Sequence, residues 1–106
     1  MLNLETQNRV SEEVIHASQN RSLLSKIDIE KLISLAEQTP RKRIRFCSHQ
    51  SSKEIQHEMF IVHPYMAYVR PHKHLKKPES MFVLYGEVDY VMFDEFGNVT
   101  QSIQMG

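Results

Sequence analysis

This 106-residue chain carries no excess charge of either sign: 13 basic and 13 acidic residues balance to a formal net charge of zero. Non-specific nucleic-acid binding draws on a basic surplus that displaces counterions, so no nucleic-acid partner is expected. Glycine is scarce, with three residues (Gly86, Gly97 and Gly106), all in the last third. That excludes G-x-x-x-x-G-K-[ST] and G-x-G-x-x-G phosphate loops, and with them P-loop hydrolysis and dinucleotide redox chemistry. The single cysteine, Cys47, allows no intrachain disulfide. Met81 to Tyr85 is as long as an uninterrupted apolar run becomes, whereas a membrane-spanning helix needs roughly 20 residues. The first residues lack a basic region followed by an apolar one, so no secretory leader is expected. Internal repeats and low-complexity tracts are also missing. The expectation is a reduced, cytoplasmic protein with no membrane partner. At 41% hydrophobic and 25% charged, the chain is too apolar to stay disordered and has the composition of one globular domain.

What is there divides near Pro40. In Asp28 to Gln38, residues Ile29, Leu32, Ile33 and Ala36 recur at helical spacing, with Asp28 as the expected N-cap and Thr39-Pro40 as the stop. Ser11 to Gln19 reads equally as a short helix or a strand. After Pro40 the period becomes two. Strands are expected over Arg43–Ser48, Ile55–Val62, Tyr65–Arg70, Met81–Tyr85, Glu87–Asp94 and Val99–Met105. Asp94-Glu95-Phe96-Gly97-Asn98 reads as a hairpin turn with Gly97 at positive φ. The fold class is therefore mainly β, a small antiparallel barrel or sandwich behind one N-terminal helix. Residues 1–40 form the helical segment and 41–106 the β segment of a single domain. Tyr68, Phe82, Tyr85, Tyr90 and Phe93 are expected in its core.

Chemistry concentrates in Tyr68-Val-Arg-Pro-His72-Lys-His74-Leu-Lys-Lys-Pro-Glu79. On a strand, His72 and His74 project from one face. Arg43 and Arg45 likewise share a strand face and read either as an anion clamp or as a solvated edge. Arg70, two residues before His72, is the best candidate for contacting an anionic substrate. His57 reads either as a hydrogen-bonded structural histidine or as a group facing the interior. His49 ends a strand and can line a pocket mouth. His16 and His63 are expected to be exposed, and Cys47 to be a buried thiol.

The spacing His72-x-His74-x4-Glu79-x6-Gly86 resembles the first motif of the cupin superfamily. With Arg41 to Arg45, His57-Glu58-Met59 and Phe93 to Asn98, it is similar to the WbuC-type cupin-fold metalloproteins that accompany bacterial O-antigen and other surface-polysaccharide genes. The resemblance runs from about Pro40 to Gly106. It implies a jelly-roll-like barrel in which His72, His74 and Glu79 hold a divalent transition metal (Fe, Zn, Mn or Ni) with positions left open for substrate. A small polar substrate, a sugar or sugar nucleotide, would be isomerised, epimerised or oxygenated, with His57 or a bound water moving the proton. A non-catalytic metal- or small-molecule-binding module and a degenerate fragment are the alternatives. The family's leading glycine is replaced by Met66, and its second histidine-bearing motif does not occur. The barrel is therefore expected to be incomplete here, continuing in a longer domain or completed by a second copy in a homodimer.

Overall fold

The computed structural model describes residues 3–73 and 78–106. The chain divides into two compact units, Met1–Ala67 and Tyr68–Gly106.

The first unit begins with a 3-10 turn, Leu4–Thr6, followed by strands β1 (Asn8–Arg9) and β2 (Val14–His16). Helix α1 spans Lys26–Gln38; strands β3 (Ile44–Cys47) and β4 (Met59–Val62) follow it. Ser25, not Asp28, caps the helix. The Ser25 hydroxyl accepts from the Asp28 amide at 3.3 Å, and the Asp28 carboxylate accepts from the Ser25 amide at 2.8 Å, a reciprocal capping box. At the other end Thr39 stops the helix as expected. Its hydroxyl lies 2.9 Å from the Ala36 carbonyl and accepts from the Arg43 amide at 2.9 Å, tying the helix end to the start of β3.

The sheet order is β1-β2-β3-β4. β1 with β2 and β3 with β4 are antiparallel, but β2 and β3 are parallel, joined through α1. This corrects the expectation of a purely antiparallel sheet confined to the region after Pro40. The stretch that read as either helix or strand is strand β2, and it enters the sheet beside β3. Partners in register share a face. Ile15 pairs with Phe46, Phe46 with Phe60, and Ile44 with Val62, so these residues lie on one face. That face packs with Leu32 and Ala36 of α1 into the core. Phe46 and Leu32 are fully buried; burial of each such side chain is worth about 1.5–3 kcal/mol. The opposite face carries the registered row His16, Cys47 and Met59.

The second unit contains the hairpin of β5 (Val88–Phe93) and β6 (Val99–Met105). The Asp94 carboxylate accepts from the Phe96 and Asn98 amides, each at 2.9 Å, and Gly97 takes φ +84°. The turn is as the sequence predicts. A register shift between Met92 and Phe93 places a bulge beside it. Tyr65–Arg70 and Met81–Tyr85, expected as strands, are not strands here. Pro64 and Pro71 flank the first segment and offer no ladder donors, and apolar β-formers make a strand only where a partner edge exists. Tyr68, Phe82, Tyr85 and Phe93 are exposed rather than in the core, and Tyr90 is half-buried. A two-stranded hairpin has no second layer of its own to cover them. The described residues thus form a mainly β protein with a mixed four-stranded sheet, a two-stranded hairpin and one helix, and neither sheet closes into a barrel. Among the described residues, no helix is long and apolar enough to cross a membrane.

Candidate metal centre

The parallel register sets His16 beside Cys47, and the Ala17 amide extends the pairing by donating to the Cys47 carbonyl at 2.9 Å. His49 follows two residues after Cys47, in the bend just beyond the end of β3. The hairpin continues past its ladder at this point, with the Ser48 amide donating to the Glu58 carbonyl at 2.8 Å. Together these pairings gather the ligand atoms of His16, Cys47 and His49 within 4.8 Å of one another. His16 is 9% exposed and Cys47 1%; His49 is half-buried.

Hydrogen bonding prepares the rings. His16 Nδ1 lies 3.2 Å from the His49 carbonyl oxygen. A carbonyl only accepts, so Nδ1 carries the proton in this bond and Nε2 keeps the lone pair. That is the tautomer of a ligating imidazole that donates its other nitrogen to backbone. His49 Nδ1 is 3.2 Å from both the carbonyl and the amide of Glu58, so either tautomer finds a backbone partner. The two rings meet edge to face at 5.1 Å. Burial pushes the Cys47 thiol above its ordinary pKa, against a smaller opposing pull from Arg45. Burial, and after it the neighbouring His57, hold the His49 imidazole below its ordinary value. Both shifts favour the neutral forms of Cys47 and His49, and a bound cation would displace the thiol proton. One sulfur and two nitrogen donors suit borderline ions such as zinc. Bonds of about 2.0–2.3 Å put tetrahedral ligand atoms roughly 3.3–3.8 Å apart, so no pair of donors would need to close by more than about 1.5 Å.

The residues singled out in the sequence are divided between the two units. His57 stacks on His49 with ring centroids 4.1 Å apart and planes 12° from parallel, and its Nε2 donates to the Ser52 carbonyl at 3.1 Å. Arg43 is engaged by Glu13 at 3.2 Å, and Arg41 grips the same carboxylate through two nitrogens. The Arg43 head thus already faces a carboxylate of its own chain, while Arg45 is exposed on β3. In the second unit His72 Nδ1 donates to the Arg70 carbonyl at 3.0 Å, and Arg70, His72 and Glu79 are exposed. His72 lies on no strand, and His74 lies outside the described residues. His63 is exposed and Cys47 buried, both as expected, whereas His16 is buried, contrary to expectation. Its burial follows from the parallel pairing of β2 with β3, for which three residues of strand leave no local signature. Cys47-x-His49 carried a readable signal, since the spacing that aligns His72 with His74 also aligns these two.

No curated protein and no solved structure matches this chain. The profile of one family, described as a domain of unknown function (DUF6016), matches residues 24–105 and so takes in Cys47, His49 and His57 but not His16. A match over that much of the chain places this protein in the DUF6016 family.

Proposed function

We propose that this chain is a metal-binding β protein whose first unit holds a divalent transition ion between the end of β2 and the end of β3. The observation that carries the reading is the convergence of His16, Cys47 and His49 to within 4.8 Å. The donors come from both sides of a strand–helix–strand crossover, and one of them already has its tautomer set for ligation. The test is elemental analysis of untagged protein after reconstitution with zinc, beside Cys47→Ser and His16→Ala. Near-stoichiometric metal in the wild type, lost in both variants while their circular dichroism is kept, is the expected result. A folded wild type that takes up no zinc refutes the reading.

A second reading follows the cupin resemblance. His72, His74 and Glu79 would hold the metal, with Arg70 near a sugar or sugar-nucleotide substrate in surface-polysaccharide chemistry. Its support is the motif spacing together with Gly86 at φ +88°, a conformation that the motif's glycine supplies without steric cost. His72→Ala separates the two. It abolishes metal uptake in the second reading and leaves it intact in the first.

A further inference from the structure

Among the described residues three donors converge, which leaves one position of a tetrahedral ion for a ligand from solution. Strand β3 carries a cation beside that position. Arg45 lies two residues before Cys47 within β3, so the two side chains leave one face of the strand about 6.5 Å apart. Arg43 is committed to Glu13, whereas Arg45 is exposed and, among the described residues, makes no side-chain hydrogen bond or ion pair. Its partners in register, Val14 of β2 and Ile61 of β4, are both apolar. We infer that the open metal position takes a small carboxylate with an apolar body. One carboxylate oxygen would sit on the ion, the other would pair with Arg45, and the body would lie along Ile61 and Met59. This inference rests on the three-donor reading above.

Charge favours an anion. A divalent ion held by one thiolate and two neutral imidazoles keeps a net positive charge, and the Arg45 guanidinium adds to it. That guanidinium is close enough to be felt at the donors: behind burial, the main cause of both shifts, its charge acts on the Cys47 thiol and on the His49 imidazole. Its planar fork matches a carboxylate, and a charge-assisted pair there would fix the direction in which the acid lies. Shape favours an apolar body. Partners in register share a face, so Met59 beside Cys47 and Ile61 beside Arg45 continue the same surface, 38% and 55% exposed. The half-buried His49 keeps the group in touch with solvent. Binding is a ligand exchange in which the acid displaces water from the ion and no bond of the acid breaks.

Cobalt(II) reports both the thiolate and the open position, so the full chain is loaded with it, titrated with benzoate or acetate, and followed by visible absorption. Wild type should show a thiolate-to-cobalt charge-transfer band, and benzoate should shift the d–d bands saturably while that band persists. Acetate has the same charge without the apolar body and should bind on the order of 10-fold more weakly. Arg45→Gln should still show the charge-transfer band but bind benzoate on the order of 10-fold more weakly than wild type. If the charge-transfer band is present and benzoate leaves the d–d bands unmoved, or Arg45→Gln binds benzoate as wild type does, the inference is wrong and the metal centre stands. Acetate binding as tightly as benzoate overturns the apolar body. If wild type shows no charge-transfer band, or Cys47→Ser keeps it, the three-donor reading fails and takes this inference with it.

Discussion

The two units use β-structure in different ways. In Met1–Ala67, short strands are held because a helix covers one face. Phe46, Ile15, Ile44, Leu32 and Ala36 are removed from water, although β1 has two residues and β2 three. In Tyr68–Gly106 the strands are longer and better patterned, yet none of the described residues is buried. There the order comes from the ladder and from an Asp94 turn with glycine at the position needing positive φ. Strand length and alternation thus say little about where packing energy lies. A second layer decides that, and a local pattern does not report it.

The largest blow to this contrast is Phe46→Ala. Emptying a fully buried aromatic site costs about 3–5 kcal/mol, as much as a small domain's whole margin. Chemical denaturation should show the first unit unfolded or nearly so, and metal uptake should go with it. In the second unit Gly97→Ala meets no atom within 4 Å, so its cost is conformational alone. An L-residue at φ +84° loses about 1–2 kcal/mol. Amide exchange in β5 and β6 should accelerate while α1 stays protected. Ser25→Ala removes half of the capping box and should cost about 1 kcal/mol, read as a lower denaturation midpoint with α1 fraying first.

The smallest effect is electrostatic. The Arg41 guanidinium, with help from Arg43, holds the Glu13 carboxyl below its ordinary 4.5. The unfolded chain therefore takes up this proton before the folded one. The contribution is full above about pH 4.5 and is lost as pH falls through the lower folded value. Glu13→Gln should be slightly less stable than wild type at neutral pH, and the gap should close on acidification in denaturant titrations. A gap that widens in acid would show that the ion pair is not its source. The effect is small because Arg41 stays largely in water.

What could be read in advance followed the range of the interaction. The stripe through Leu32 and Ala36, the stop at Thr39 and the Gly97 turn depend on neighbours a few residues away, and the structure has all three. The N-cap shifted from Asp28 to Ser25 because both residue types cap helices and the motif uses both, the serine outside and the aspartate three residues in. Tyr65–Arg70 and Met81–Tyr85 have strand-forming side chains, but a ladder needs a partner that composition cannot supply. His16 was misplaced for the same reason. Of the candidate centre, the sequence points to His49 as a pocket-lining group and to Cys47 as a buried thiol. Their convergence with His16 was hidden, because the pairing of β2 with β3 is set by the shared core and not by either strand alone.

That pairing also bears on when the centre can form during folding. His16 and His49 are 33 residues apart, with α1 between them. Helix α1 and the β3–β4 hairpin close short loops and can arise early, whereas β2 must wait to dock beside β3 at the entropic cost of a long loop. An ion bound by His16 and Cys47 would therefore be captured at a late, high-contact-order step. Once there it would slow the departure of β2, a three-residue strand in the middle of the sheet, and would act mainly on the unfolding rate.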